Sequence, residues 1–375
     1  MKTIYTVFTL FLLPWMMVIG KDHDVVRKNE KHGRTYVFYL GTYTQGASRG
    51  IYKYCLSGKG TLQPEGLQAR TSNPSYLTFS ADRRYLLAVN ENAPGTVSLF
   101  AVHPDRLVFL GSRRSGGDAP CYVSVNAAGW VLTANYGSGT VGLLRLDSCG
   151  KLSPLLFTQK HFCDSCLPHA HAAQFIPGTR QVVATDLGTD QLWFSKLDEK
   201  SNRLFFNRQQ QTLRFAKGTG PRHFVFYPGG KWLYLVGEEG NNVTVVGKSK
   251  SGRWQKIHTY STLPGHFQGK SYAADVHLSP DARFLYVSNR GSNTLAIFRI
   301  TEKGKSLQCI DYVPVHGNWP RNFALTSDGN FLVVANQKSN NIVVFKRNKV
   351  SGKLLYCGET KADSPVCILF VPGFE

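Results

Sequence analysis

The feature of this sequence that most constrains its fold is a unit of about 48 residues that occurs seven times. Each copy begins with a short turn, which ends in proline in five copies, and continues into an apolar strand. Repeats of this length are typical of β-propeller blades, whereas an open β-solenoid has shorter repeats and capping ends. The sequence therefore predicts an all-β, seven-bladed propeller. The equivalent residues of the seven turns, called the first register, are Ser75, Cys121, His171, Arg222, Ala274, Arg321 and Val366.

A second strand follows in each unit and leads to one variable position, called the second register. This position lies 16 residues after the first register in five units and 15 residues after it in one other. Such constancy is expected of two strands joined by a tight turn. A third strand follows a turn rich in Gly, Ser or Asn, and we predict four strands in each blade. The second-register residues are Thr42, Glu91, Tyr136, Leu187, Glu238, Arg290 and Gln337.

The two ends of the chain complement each other. The segments Tyr36–Thr42 and Gly50–Leu56 match the second and third strands of the repeat, but no first strand precedes them. Val366–Val371 supplies a first strand with nothing after it. We therefore predict a propeller over residues 36–375 in which the last blade is closed by N- and C-terminal strands, an arrangement that leaves no open end in the ring.

The N-terminus has the form of a secretory signal peptide. Lys2 is followed by an apolar run, Val7–Ile19, which is interrupted by Pro14. This run is shorter than a typical transmembrane helix. We predict a signal peptide over residues 1–20, a linker over 21–35 and export to the periplasm or the extracellular space. An uncleaved N-terminal anchor is the alternative; after cleavage, no stable membrane insertion is expected.

The net charge of +20 results from 44 Lys and Arg against 24 Asp and Glu. These basic residues are spread along the chain without a basic helix, finger spacing or stacking platform, which favours a solvated surface over a nucleic-acid partner. Among eight cysteines, Cys163 and Cys166 form a C-x-x-C. A loop disulfide or free thiols are favoured over a zinc half-site, because no second cysteine pair is present. We expect neither a metal nor a cofactor.

Both registers are expected to face the central channel, because the first strand of each blade lines it. Arg222, Arg290 and Arg321 can bind a carboxylate or phosphate and stabilise an oxyanion. His171 or Glu238 can take a proton from water or substrate. The sequence therefore predicts an anionic small-molecule substrate and hydrolytic or proton-transfer chemistry. The alternative is that the same groups form ion pairs with one another in a water-filled channel.

Further residues of these registers are candidates for contact with a substrate. Asp275, one position beyond the first register, is also a candidate to orient neighbouring groups together with His277. The predicted substrate-binding residues are Arg321, Glu91, Tyr136, Gln337 and Asp275.

Several short motifs distributed between Tyr36 and Phe370 are more specific than the repeat itself. They include Leu40-Gly41-Thr42-Tyr43-Thr44, Asn73-Pro74-Ser75-Tyr76, Ala88-Val89-Asn90-Glu91, Gly220-Pro221-Arg222-His223 and Ser288-Asn289-Arg290-Gly291. With these motifs the chain resembles the seven-bladed β-propeller lactonase family, whose members include the propeller-type 6-phosphogluconolactonase and carboxymuconate cyclase.

This resemblance implies a metal-independent, cofactor-free lactone hydrolase or its reverse. The histidine, arginine, glutamate and second arginine proposed as catalytic in the family fall on His171, Arg222, Glu238 and Arg290. The leading hypothesis is the opening of a sugar lactone, plain, phosphorylated or otherwise acidic. A carboxymuconate-type cycloisomerase and a non-catalytic binding propeller are the alternatives, because a fold alone does not fix a function.

Overall fold

The computed structural model describes residues 34–371, which form seven antiparallel sheets. The inner strand of each sheet contacts the inner strands of both neighbouring sheets, so the sheets form a closed ring around a central channel. The predicted seven-bladed propeller with four-stranded blades is confirmed. The predicted signal peptide and most of the linker lie outside the described residues. Within residues 34–371, no helix is long and apolar enough to span a membrane.

The strands are numbered in chain order, and the blades are numbered so that the blade shared by both ends is blade 7. Its strands are β1 (Thr35–Thr42), β2 (Gly50–Ser57), β3 (Leu62–Arg70) and β29 (Pro365–Phe370). Blade 1 contains β4 (Leu77–Phe79), β5 (Tyr85–Asn90), β6 (Thr96–Val102) and β7 (Leu107–Arg114). Blade 2 contains β8 (Pro120–Val125), β9 (Trp130–Asn135), β10 (Thr140–Arg145) and β11 (Phe157–Lys160).

The remaining four blades follow the same order from the channel outward. Blade 3 contains β12 (Ala170–Phe175), β13 (Gln181–Asp186), β14 (Gln191–Asp198), β15 (Arg203–Phe206) and the short β16 (Thr212–Arg214). Blade 4 contains β17 (Pro221–Phe226), β18 (Trp232–Gly237), β19 (Asn242–Lys248) and β20 (Trp254–Ser261). Blade 5 contains β21 (Tyr272–Leu278), β22 (Phe284–Arg290), β23 (Thr294–Thr301) and β24 (Ser306–Pro314). Blade 6 contains β25 (Pro320–Leu325), β26 (Phe331–Asn336), β27 (Asn341–Arg347) and β28 (Leu354–Lys361).

Blade 7 closes the ring as the sequence predicts. β29 pairs antiparallel with β1, with Leu40 opposite Ile368 and Gly41 opposite Cys367. The C-terminal strand is therefore the inner strand of a sheet whose other three strands come from the N-terminus. This pairing satisfies the inner edge of β1, which would otherwise expose unpaired backbone groups.

The apolar core lies between neighbouring blades, because the second and third strands of most sheets are largely buried on both faces. All six residues of β9 and of β26 are buried, whereas the outermost strands β3 and β28 are largely exposed. Aromatic rings fill the gaps between sheets; for example, Tyr36 of blade 7 packs edge-on against Phe331 of blade 6 at 5.8 Å. Burial of these apolar surfaces supplies the main stabilising contribution to the fold.

Cys163 and Cys166 form a disulfide in the loop between β11 and β12. Of the alternatives for this C-x-x-C, the structure contains the loop disulfide. Residues 34–371 hold no cluster of three or more His, Cys, Asp or Glu side chains suited to a metal ion.

Candidate active site in the central channel

The inner strands depart from regular pairing at the positions of the first register. In β8, β12, β25 and β29, one residue of the inner strand has no paired residue on the neighbouring strand. In β17 and β21, two consecutive residues of the inner strand lie opposite a single residue of the neighbouring strand. An extra residue in one strand of a pair is a β-bulge, which changes the direction of its side chain and is common beside active sites. The bulged residues are Cys121, His171, Arg321, Val366, the pair Arg222 and His223, and the pair Ala274 and Asp275.

The second register is held against the start of the inner strand by a backbone hydrogen bond. The N–H of Glu91 donates to the carbonyl of Asn73 at 3.0 Å, and the N–H of Glu238 donates to the carbonyl of Gly220 at 2.7 Å. This bond fixes the height at which each second-register side chain enters the channel.

The predicted second-register residue of blade 7 is wrong by one position. The corresponding bond is donated by Tyr43 to the carbonyl of Ser364 at 3.1 Å, because the strand register shifts between Gly41 and Thr42. The hydroxyl of Thr42 is buried and donates to the carbonyl of Gly50 at 2.7 Å. Tyr43 therefore takes the channel position that was assigned to Thr42.

The central feature of the site is one glutamate shared by two arginines. Oε2 of Glu238 lies 2.8 Å from Nε of Arg222 and 2.8 Å from Nη2 of Arg290. Arg222 also donates to the carbonyl of Ala274 at 2.6 Å, and Arg290 donates to the carbonyl of Ala273 at 3.3 Å. Both guanidinium groups are thus fixed by the backbone of blade 5, and the three side chains together carry one excess positive charge.

Burial and mutual repulsion shape the electrostatics of this cluster. Burial alone would raise the pKa of Glu238, but Arg290 and Arg222 hold it below its ordinary value, so the carboxylate is ionised at neutral pH. Burial and the nearby Arg222 lower the pKa of Arg290 to about 9. Arg290 is still charged at neutral pH, and an additional anion would relieve the repulsion between the arginines.

A second arginine–glutamate pair lies across the site. Nη2 of Arg321 lies 3.8 Å from Oε2 of Glu91, and the hydroxyl of Tyr43 donates to the same oxygen at 2.9 Å. Burial alone would lower the pKa of Arg321, but Tyr43 and Glu91 raise it above its ordinary value. This pair is balanced in charge, unlike the cluster around Glu238.

His171 lies in the same region and is only 4% exposed. Its ring packs edge-on against Tyr136 at 5.7 Å and against His223 at 5.1 Å, and Nδ1 lies 3.6 Å from the sulfur of Cys121. Burial and the positive charge of Arg222 lower the pKa of His171 well below its ordinary value. The imidazole is therefore neutral at neutral pH and has a lone pair available to accept a proton.

Asp275 belongs to a second group of side chains, which adjoins His171 through His223. Its Oδ1 accepts a hydrogen bond from Nδ1 of His223 at 2.8 Å, and its Oδ2 accepts from Nε2 of His277 at 2.9 Å and from the amide of Asn322. Burial alone would raise the pKa of Asp275, but the two histidines lower it. Both oxygens are engaged, so these contacts match the orienting role rather than direct contact with a substrate.

Other predicted positions are less directly involved. Tyr136 stacks on His169 at 4.4 Å and forms a wall beside His171. The side-chain oxygen of Gln337 is buried without a hydrogen-bond partner among residues 34–371. Three aromatic residues near the arginines were not predicted as site residues. Only Tyr43 was close to a predicted position in the sequence, because it directly follows the second-register residue Thr42. They are Tyr43, Tyr272 and Trp319.

The chain is similar to proteins of known name over nearly its whole length. Residues 37–370 match the family described as "Lactonase, 7-bladed beta-propeller". The 6-phosphogluconolactonase of Bacillus subtilis is 34% identical over 349 residues, which cover 90% of this chain and 98% of that protein. An uncharacterized protein of Staphylococcus aureus is 30% identical over 346 residues, covering 88% of this chain and 99% of the relative.

Solved structures give the same result. The structure of a periplasmic gluconolactonase of Pseudomonas aeruginosa superposes with a TM-score of 0.85 at 32% identity. The match covers 90% of this chain and 99% of that one.

Proposed function

This chain belongs to the lactonase family of seven-bladed β-propellers, and on that premise we propose that it hydrolyses a sugar lactone in its central channel. The relatives above that carry a named activity are a 6-phosphogluconolactonase and a gluconolactonase, which favours hydrolysis over the cycloisomerase alternative. The observation that carries the proposal is the sharing of Glu238 by Arg222 and Arg290, because it combines a carboxylate with excess positive charge at one point.

In the proposed reaction, Glu238 activates the attacking water. Its Oε2 forms ion pairs with the two arginines, and the side chain is 18% exposed, so water can reach the carboxylate. The carboxylate accepts a proton from water as the water oxygen attacks the lactone carbonyl carbon. His171, which is neutral, is the other candidate base in the channel, and the two roles are separable by substitution.

The arginines stabilise the charge that develops during the attack. As the new C–O bond forms, the carbonyl oxygen becomes an oxyanion. Arg290 and Arg222, the charged donors beside Glu238, stabilise it. The intermediate then collapses by breaking the bond between the carbonyl carbon and the ring oxygen. The proton taken from water passes to that ring oxygen, and the product is a hydroxy acid, which ionises at neutral pH.

Lactones of sugar acids are the substrates we assign to this site. The excess positive charge of the cluster suits both the transition state and the carboxylate product. Glucono-1,5-lactone and its 6-phosphate are the first compounds to test, since the named relatives are a gluconolactonase and a 6-phosphogluconolactonase.

We also propose that the protein is exported. The N-terminal sequence has the form of a signal peptide, one relative is described as periplasmic, and the Cys163–Cys166 disulfide suits an oxidising compartment. Mass spectrometry of the protein from its native host should find a mature N-terminus near Lys21. An intact Met1 in the cytoplasm would refute export.

The test of the proposed activity is a lactone hydrolysis assay with the purified protein. Hydrolysis of each lactone above its spontaneous rate is followed by acid release, with the heat-denatured protein as the blank. We expect turnover of at least one sugar lactone. No rate above the spontaneous one with plain, phosphorylated and carboxylated lactones would leave only the binding-propeller alternative.

A further inference from the structure

The mouth of the channel carries an aromatic residue in an unusual backbone position. Trp319 precedes the proline that opens the inner strand of blade 6, and its φ is 68°, in the left-handed region. A bulky residue rarely adopts this conformation without compensation. The equivalent residues of the other proline-containing turns are all smaller, and they too have positive φ. They are Asn73, Ala119, Gly220 and Ser364.

Trp319 is held in this conformation by hydrogen bonds at both of its backbone groups. Its N–H donates to Oδ1 of Asn293 at 2.9 Å, and its carbonyl accepts from the N–H of Gln337 at 3.0 Å. The indole ring also packs beside Tyr272 at 5.9 Å between ring centroids. The surrounding structure therefore fixes both the backbone and the side chain of this tryptophan.

Two cations share the indole ring of Trp319. The guanidinium carbon of Arg290 lies 5.4 Å from the ring centroid, and Nζ of Lys338 lies 3.3 Å from it. An ammonium over an indole face is attracted by the ring quadrupole, which restricts an otherwise flexible side chain. Trp319 thus holds an exposed lysine at a set place relative to the arginine that we assign to the oxyanion.

Lys338 differs from the residues at the equivalent place in the other blades. It directly follows the second-register residue Gln337, and no other blade has a cation there; blade 4 has the acidic Glu239. No carboxylate of residues 34–371 forms an ion pair with Lys338. The channel mouth therefore has, on the side of blade 6, a positive charge with no carboxylate partner among residues 34–371. The residues at the seven equivalent places are Thr44, Asn92, Gly137, Gly188, Glu239, Gly291 and Lys338.

We propose that Lys338 is a specificity-determining residue that binds an acidic group at the end of the substrate remote from the lactone carbonyl. Trp319 is its positioning residue. A phosphate or a carboxylate has the required chemistry, since a lysine ammonium acts as a point charge toward either. This inference rests on the proposed lactonase activity and adds the direction in which the substrate lies, with its carbonyl at Arg290 and its acidic end toward blade 6.

The kinetic test compares three lactones in the wild-type protein and in Lys338→Met, which keeps most of the side-chain length without the charge. The lactones are glucono-1,5-lactone, its 6-phosphate and glucaro-1,4-lactone, which carries a remote carboxylate. We expect the substitution to lower kcat/KM for the phosphorylated lactone by about tenfold or more, chiefly through KM, and to leave the plain lactone within about twofold. A loss with the carboxylated lactone as well would show that any remote acid is recognised.

Two further variants separate the charge from general damage. Lys346→Met removes an exposed lysine from β27 and should leave all three rates unchanged. Trp319→Leu should reproduce part of the Lys338→Met effect, and Trp319→Phe, which keeps an aromatic face, should restore most of the wild-type preference. Equal losses for plain and acidic lactones in Lys338→Met, or no preference for an acidic lactone in the wild type, would overturn the inference.

A binding measurement keeps the inference testable apart from turnover. Calorimetry with 6-phosphogluconate and gluconate should give tighter binding of the phosphorylated acid to the wild type, and this difference should disappear in Lys338→Met. If no lactone is hydrolysed but the difference in binding is present, the proposed catalysis fails and the acid-binding role of Lys338 stands. If lactones are hydrolysed and the difference is absent, the inference about Lys338 fails alone.

Discussion

Two carboxylates of the channel lie in neighbouring blades and have opposite surroundings. Glu238 of blade 4 is bound through one oxygen by Arg222 and Arg290, and its side chain is 18% exposed. Asp275 of blade 5 is 3% exposed, and both of its oxygens accept hydrogen bonds, including those from His223 and His277. Water or substrate can reach the first carboxylate, whereas both oxygens of the second are engaged by neighbouring side chains.

The partners of the two carboxylates also differ in charge. The arginines around Glu238 are charged at neutral pH and outnumber it, so their cluster can bind a further anion. Burial and Arg222 lower the pKa of His223 to about 4, so a neutral imidazole donates to Asp275. The difference between the two environments supports the proposed role of Glu238 in the reaction. Asp275 joins blades 4, 5 and 6 through His223 and Asn322.

The largest effect is expected from removing an arginine beside Glu238. Arg290→Ala should lower kcat/KM by about 10²- to 10³-fold, or about 3–4 kcal/mol, because a charged donor to the oxyanion is lost. Arg321→Ala, which breaks the charge-balanced pair with Glu91, should cost about tenfold at most. Thermal unfolding of both variants should resemble that of the wild type. Near-wild-type turnover of Arg290→Ala would remove this arginine from the reaction.

The next effect concerns stability. Asp275→Asn keeps the size of the side chain but removes the charge that two histidines and Asn322 stabilise, and the free energy of unfolding should fall by about 3 kcal/mol. The folded protein should keep kcat/KM within about tenfold, since Asp275 has no oxygen free for a substrate. Chemical denaturation and kinetics on the same preparation measure both quantities.

A matched control is Asp105→Asn, which changes an exposed carboxylate on the surface and should leave the unfolding transition in place. A wild-type unfolding transition in Asp275→Asn together with a loss of turnover would reverse the roles assigned to the two carboxylates.

The smallest effect is a pH dependence of stability that comes from the buried histidines. The folded-state pKa of His171 lies well below its ordinary value and that of His223 is about 4, whereas both are near 6.5 in the unfolded chain. The unfolded state therefore binds more protons as the pH falls below 6.5, and stability is lost progressively from pH 6.5 toward pH 4. Above pH 6.5 this contribution is fully present.

Melting temperatures recorded between pH 7 and pH 4.5 check this dependence. His171→Asn removes one of the two titrating groups and should flatten the decline, whereas the surface substitution His103→Asn should not. An identical decline in wild type and His171→Asn would contradict the assignment of His171 as a neutral buried base.

The sequence predicted the fold in detail because the propeller is a repeat, and each of its blades shows the same spacing of turns and strands. It also predicted that His171, Arg222, Glu238 and Arg290 lie in the channel, since residues at constant positions of a repeat meet at its axis. The repeat of about 48 residues therefore predicted both the fold and the positions of the candidate site residues.

The details that sequence reasoning missed depend on the bulges. A shift of one residue decides whether Thr42 or Tyr43 enters the channel, and side-chain direction in a strand reverses with each residue. A bulge of this kind also puts Arg222 beside Glu238 but the next residue, His223, against Asp275. The spacing of apolar residues does not record such shifts. Trp319 was missed because a residue before proline is usually interpreted as part of a turn.

The central claim is that Glu238 acts in turnover rather than in holding the site together. Glu238→Gln keeps the shape of the side chain but removes its charge and its ability to accept a proton. The most direct measurement combines calorimetric binding of the acid product with the rate of lactone hydrolysis for this variant. We predict product binding at least as tight as in the wild type, because one negative charge has left the arginine pair, and a rate lower by about 10³-fold. Wild-type turnover, or a loss of product binding that matches the loss of rate, would contradict the account.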